Sequence, residues 1–306
     1  MAYTDTYSQP DAADPVLSEE RVLGLARAAA PSVSRVTAVD ETGGEARAYI
    51  CDQGVVVKTQ RPPRLRPRTS LEKEALILDR IADQVSLPVP RVLGYGRDGD
   101  VEYLVMTQIP GLALEGATLA GSARMAVLEA LGATLRRIHQ LDQTDMVGSG
   151  LVPGDSSAAD LRRRLTAGFD DTIAALGTDP RWADAIDLPL VAAQCLARLP
   201  SEISPVVLHS NPGPEHCFVD VASGDFTGLI DFGDAYRSHP ALDVRSWVSV
   251  DDSRHMLHGY RSLGPLPQDF EQVWRAGLLL TEFRLAARGH REPAALASTV
   301  AELLES

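Results

Sequence analysis

Between residues 34 and 107 short apolar runs alternate with turn signals, and beyond residue 120 apolar positions recur at helical spacing. The runs 34–39, 46–51 and 54–59 read as strands, separated by Thr42-Gly43-Gly44 and Asp52-Gln53-Gly54, which is the pattern of an antiparallel meander. Ahead of them, Ser18 followed by Glu19 and Glu20 is a helix N-cap with acidic residues in the first turn, and Val22, Leu23 and the run 25–29 continue a short helix. Residues 1–16 carry no periodic pattern and read as a loose tail. The segment 61–68, rich in proline and arginine, reads as a loop, and Thr69 with Glu72 has the spacing of a capping box for a helix to about residue 83. Leu87-Pro88-Val89-Pro90 forbids any continuation of that helix; 91–95 and 101–107 read as two more strands around Asp98-Gly99-Asp100.

After Ile109-Pro110-Gly111 the period changes. Leu128, Leu131, Leu135 and Ile138 recur at helical spacing, as do apolar positions in 158–176, 187–199 and 270–288. Only 205–231 interrupts with short strands: the apolar run 206–208, then 218–219 and 227–230, which resemble a hairpin turned at Ser223-Gly224-Asp225. A mainly β first part with one long helix therefore precedes a mainly helical remainder.

Composition narrows the classes. The 306 residues, 44% of them apolar, can build a sizeable core, and the net charge of −13 argues against nucleic acid or an anionic membrane as partner and favours a cationic or neutral ligand. Cys51, Cys195 and Cys217 are far apart and form no Cys-x-x-Cys pair, so neither a disulfide framework nor a zinc ribbon is indicated and a reducing cytoplasm fits. No apolar run approaches the roughly 20 residues that span a bilayer, and the polar, acidic first twenty residues are unlike a secretory signal. Lys58 and Lys73 are the only lysines among 29 basic residues. A lysine kept where arginine serves everywhere else points to chemistry of its own.

Two constellations carry candidate chemistry. Lys58 ends the run Val55-Val56-Val57, and Glu74 falls on the helical stripe Leu71, Ala75, Leu78 and Ala82. A carboxylate on an apolar face needs a cation, for which Lys58 is the candidate; a strand lysine held by a helix glutamate is how a kinase-like fold aims an ammonium at nucleotide phosphates. The competing reading places Glu74 at the edge of the stripe, solvated. The second constellation is His209, Asn211, His216 and Asp231. The hairpin brings the loop 209–216 and the Asp231 carboxylate to one end, where a hard cation and phosphates would be held. Against it stand a plain tight turn at Asn211-Pro212-Gly213-Pro214, with Asp231 as a helix cap, and a metal-dependent hydrolase built on His209, His216, Asp231, His239 and Asp243, which leaves Lys58 and Glu74 unexplained.

The order of Lys58, Glu74, Leu208-His209-Ser210-Asn211, His216 and Ile230-Asp231-Phe232-Gly233-Asp234-Ala235, with Ile138-His139 and His239-Pro240-Ala241-Leu242-Asp243, resembles the aminoglycoside phosphotransferase family from about residue 30 to 250. The resemblance implies an α+β, bilobal protein-kinase-like fold, with a nucleotide-binding N-lobe at 17–108 and a C-lobe at 109–306 carrying the catalytic loop and acceptor site. It implies transfer of the γ-phosphoryl group of ATP or GTP, with Mg2+ (or Mn2+), to a small-molecule hydroxyl, often of an antibiotic. On that resemblance Lys58 binds the α- and β-phosphates, Glu74 holds Lys58, Asp231 is the principal metal ligand, and Met106, Thr107, Gln108 and Ile109 form the hinge that pairs with the base.

Two positions depart from the family pattern His-Gly-Asp-x-x-x-x-Asn. Asn211 stands where a carboxylate takes the proton of the acceptor hydroxyl; an amide orients that hydroxyl but takes no proton, and general-base help is worth on the order of 10²–10⁴ in rate. The expectation is an impaired phosphotransferase, the alternative a pseudokinase that binds nucleotide or metabolite without turnover. His216 replaces the asparagine of the second metal site, and because imidazole suits manganese or zinc better than magnesium, Glu215 is an alternative ligand. His139 is expected to cap the carbonyls of its helix or to pack against the catalytic loop, Asp243 to fix the loop by hydrogen bonds, Trp182, Trp247 and Trp274 to be core or pocket walls, and Asp251, Asp252, His255 and His258 to lie on a solvated helix face.

Overall fold

The computed structural model describes residues 7–305 apart from 120, 178, 184, 246 and 247, so Trp247 lies outside the described residues. After helix α1 (Glu19–Ala29), strands β1 (Val36–Asp40), β2 (Ala46–Cys51) and β3 (Val55–Gln60) form the expected meander. Helix α2 (Leu71–Gln84) follows, then β4 (Val92–Asp98) and β5 (Val101–Thr107). The five strands make one antiparallel sheet in the order β1-β2-β3-β5-β4. Side-chain alternation sorts the central strand: Val55 and Val57 pack with Val22, Leu23 and Ala26 of α1, while Val56 packs with Leu71, Ala75 and Leu78 of α2. Each such buried side chain contributes roughly 1.5–3 kcal/mol. Lys58 shares the parity of Val56, and the register Val56↔Met106 and Lys58↔Leu104 puts it on the α2 side of the sheet.

Helix α2 differs from its sequence reading in two ways. Its N-cap is Ser70, which accepts from the Lys73 N–H at 3.2 Å, because the Thr69 hydroxyl is drawn instead to Asp234, 2.6 Å away. Its buried face runs over Ile77 and Ile81, while Ala82 is exposed. Residues 8–14, read as part of a loose tail, lie against the sheet: Ser8 N–H donates to Leu65 O at 2.8 Å, and Asp14 pairs with Arg61 at 2.7 Å and Arg47 at 3.3 Å.

The remainder is mainly helical. A two-residue strand β6 (Leu112–Ala113) leads into α3 (Gly121–His139), α4 (Thr144–Gly148), α5 (Ala158–Leu176), α6 (Pro180–Ala183) and α7 (Leu188–Ala197). Then come β7 (Val206–Leu208), β8 (Cys217–Val219), β9 (Phe226–Leu229), β10 (Tyr236–Ser238), α8 (Val250–Arg261), α9 (Phe270–Ala287) and α10 (Pro293–Glu305). Helices α3 and α8 touch backbone to backbone: a Cβ on Gly132 would lie 1.9 Å from Met256 O, and one on Gly259 1.8 Å from Glu129 O. Trp182 and Trp274 are buried in the core. No helix among the described residues is long and apolar enough to cross a membrane.

Pairing in the strand-rich stretch positions the site. Leu208 pairs with Tyr236 across β7 and β10, and Cys217 pairs with Leu229 across β8 and β9. The loops 209–216 and 230–235 are thus clamped side by side at both ends.

Candidate active site

Lys58 Nζ sits 2.7 Å from Glu74 Oε2 and 2.6 Å from Asp231 Oδ1. Glu74 is wholly buried, so the solvated-edge reading does not hold. Burial works against the Lys58 ammonium, but the Asp231 and Glu74 carboxylates outweigh it and hold Lys58 above the ordinary lysine range. Burial likewise pushes the Glu74 carboxyl up, against the pull of Lys58. Asp231, only partly buried, is held well below the usual carboxylate range by Lys58 and His216.

Around this triad opens a cleft of about 630 Å³, lined by Val56, Lys58, Met106, Thr107, Gln108 and Ile109, and by Asn211, Glu215, His216 and Asp231. The structure therefore brings together all of the residues that sequence reasoning assigned to nucleotide and metal. His209, a candidate catalytic residue, is not among the residues that line the cleft. It is fully buried beneath the loop, its Nδ1 accepting from Asn211 N–H at 3.3 Å and its Nε2 donating to Ile230 O at 2.8 Å. Its ring meets the Phe232 ring edge-on, centroids 4.6 Å apart, and burial keeps its pKa below the usual value. Neutral His209 braces the two loops and does not face the cleft.

Asp243 holds the loop from below, as expected. Its Oδ2 accepts from His209 N–H at 2.6 Å and its Oδ1 from Ser210 N–H at 2.7 Å, while His139 Nε2 lies 3.0 Å from Oδ2. His139 thus packs against the loop through Asp243. The loop takes unusual backbone: Ser210 at φ 80° and Asp231 at φ 71° are both left-handed. Ser210 pays the penalty that glycine avoids and recovers a hydrogen bond, its hydroxyl donating to Asp234 O at 3.1 Å.

His216 points Nε2 at Asp231 Oδ2, 3.2 Å away, and donates from Nδ1 to Asn211 O at 2.8 Å. Burial opposes the charge, but the Asp231 carboxylate overcomes it and raises the His216 pKa to about 9. Without a cation at Asp231, the ring donates from both nitrogens and pairs with that carboxylate. Glu215 accepts from Asn211 Nδ2 at 3.2 Å. Of the residues assigned to metal, Asp231 and His216 touch each other and Glu215 is bonded to Asn211; no group of three or more metal-ligating side chains exists among the described residues.

The comparisons decide the family. A sequence model described as the phosphotransferase enzyme family matches residues 37–263. The chain belongs to the phosphotransferase enzyme family. It is 27% identical over 206 residues to an aminoglycoside 3'-phosphotransferase of Streptomyces fradiae, covering 64% of this chain and 72% of that protein. Among solved structures, the GDP complex of wild-type aminoglycoside 2'-phosphotransferase-IIIa superposes with a TM-score of 0.65 at 17% identity over 94% of this chain and 98% of the other. The streptomycin–ATP ternary complex of APH(2″)-IIa does so with a TM-score of 0.56 at 16% identity over 95% and 98%. These likenesses show the fold, the kinase-like α+β architecture expected from the sequence.

One residue of this phosphotransferase site was missed. Lys73 is fully buried beside Glu74, and its Nζ donates to Ala235 O at 2.7 Å and to Arg68 O, tying α2 to the loop that carries Asp231. Burial pulls its pKa down to about 8. Its signal in the sequence is that both lysines of the chain lie within this unit. Lys73→Met leaves the buried Ala235 carbonyl without that donor, and chemical denaturation is expected to show a loss of about 1–3 kcal/mol.

Proposed function

We propose that the protein transfers the γ-phosphoryl group of ATP or GTP to a hydroxyl of a small molecule, an antibiotic or related metabolite. The Lys58–Glu74–Asp231 triad inside a cleft that also holds the hinge and Asn211 carries this reading. Lys58 is aimed at phosphate oxygens by the two carboxylates, as the general scheme of phosphoryl transfer requires. At the hinge, Thr107 N–H is committed to Arg91 O and Gln108 N–H to Gly54 O, and Pro110 has none; Ile109 supplies the donor for a base.

The donor set fits magnesium, which binds through one or two carboxylates together with substrate phosphates and water. Asp231, already drawing two cationic groups to its two oxygens, is the residue that would hold it. Bound there, the ion supplies charge neutralisation at the β- and γ-phosphates. Glu115 and Glu215 line the same cleft, which supports an acceptor bearing amines. The neutral amide of Asn211 supports a second reading, a pseudokinase that binds nucleotide without turnover. Titration of ATP and GTP with magnesium, followed by transfer to aminoglycosides, macrolides and simple amino alcohols, separates the two: the first reading expects product, the second expects binding alone.

The His216–Asp231 pair makes a test independent of any acceptor. With its pKa raised from 6.5 to about 9 in the folded protein, His216 contributes stability that is fully present below about pH 6.5 and lost as pH rises through 9, up to about 3 kcal/mol. Denaturation of the nucleotide-free protein from pH 6 to 9.5 should show this slope, and His216→Asn should remove it.

A further inference from the structure

We propose that Glu215 is the general base of this site, doing the work that the amide at 211 is unable to do. The inference rests on the phosphotransfer reading above. A carboxylate only accepts hydrogen bonds, so the contact of 3.2 Å from Asn211 to Glu215 Oε1 fixes the amide with its nitrogen toward Glu215. Asn211 is then a positioning residue: it holds a carboxylate one hydrogen bond away from the place where the family carries its own. The loop is shaped to receive that carboxylate. A Cβ on Gly213 would lie 2.3 Å from Glu215 Oε2 and 2.6 Å from Oε1, so the Glu215 head folds back over a position that has room only because it is glycine. His216 N–H and Cys217 N–H both donate to Gly213 O, and Glu115 N–H donates to Pro214 O, fixing the turn that aims Glu215.

Two other carboxylates near the loop are engaged, and Glu115, which also lines the cleft, has no hydrogen bond to Asn211. Asp231 is bound by Lys58 and His216, and Asp243 is fully buried beneath the loop with three donors on it. Glu215 is half-buried and lines the cleft. In the step, the acceptor O–H gives its proton to the Glu215 carboxylate, directly or through one water. Its oxygen forms the bond to the γ-phosphorus as the bond to the nucleoside diphosphate breaks, and protonated Glu215 then releases the proton to solvent.

Hydrolysis of ATP or GTP, with water as acceptor, tests this without knowledge of the natural substrate. The test compares wild type, Glu215→Gln, Glu215→Asp, Asn211→Asp and the double variant Asn211→Asp/Glu215→Gln, with nucleotide Kd measured for each. Glu215→Gln is expected to lower kcat on the order of 10²–10⁴-fold with an unchanged Kd, Glu215→Asp to lower it less, and the double variant to recover most of the loss because an aspartate at 211 takes the proton itself. If wild type turns over and Glu215→Gln matches it, the inference fails and the phosphotransfer reading stands. If wild type binds nucleotide without turnover while Asn211→Asp hydrolyses it, Glu215 is no base and the site is a disabled one. If wild type binds no nucleotide, both readings fall.

Discussion

Lys58→Met is expected to destabilise the protein by about 3–5 kcal/mol, because it strands the fully buried Glu74 carboxylate without its cation. Phosphoryl transfer should be lost with it, but an unfolded variant would give that result for a trivial reason. The double variant Lys58→Met/Glu74→Met separates the two effects. Replacing both partners of a buried ion pair with apolar side chains of similar volume is often neutral or stabilising, and the flanking Val56, Leu71 and Leu78 offer an apolar setting for them. Chemical denaturation should therefore return the double variant to near wild-type stability while transfer stays undetectable. Recovery of both would mean that the pair is structural only.

Asp231→Asn is expected to be the most damaging conservative change for turnover. The amide fills the same space but removes the carboxylate that on the proposed function would hold the metal, and it leaves Lys58 with Glu74 alone. Metal neutralisation of phosphate charge is worth several kcal/mol in the transition state, which is a loss of about a thousandfold or more in kcat. The same change deprives His216 of its counter-charge, so the stability slope between pH 6.5 and 9 should flatten in Asp231→Asn as it does in His216→Asn. Stopped-assay turnover and pH-dependent denaturation on one protein preparation check both. Turnover within tenfold of wild type would remove Asp231 from the account.

The Lys58–Glu74 pair was legible because two periodicities cross there. The run of three valines marked a strand ending at Lys58, and a glutamate in a helical apolar stripe announced a buried charge in want of a partner. The clamped loops at 209–216 and 230–235 were legible in outline for the same reason, since short apolar runs bounded by glycine and proline specify a hairpin. The finer placements were set at long range. Thr69 has the spacing of an N-cap, yet its hydroxyl reaches Asp234, and the cap passes to Ser70. Local spacing offers both Glu215 and His216 to a metal, whereas the turn at Gly213 sends one to Asn211 and the other to Asp231. Lys73 was noted for its rarity, but its carbonyl partner at Ala235 is fixed by the docking of α2 on the Asp231 loop. Asp14, in a segment without periodic pattern, is held by Arg47 and Arg61, charges supplied by other parts of the sheet.

The most direct test of phosphoryl transfer is mass-spectrometric detection of a phosphorylated acceptor after incubating wild-type protein with ATP or GTP, magnesium and a panel of aminoglycosides, macrolides and amino alcohols, beside Asp231→Asn as control. The account predicts a phosphorylated product with wild type and none with the control. Tight nucleotide binding with no product from either wild type or Asn211→Asp would contradict it and leave a nucleotide-binding pseudokinase.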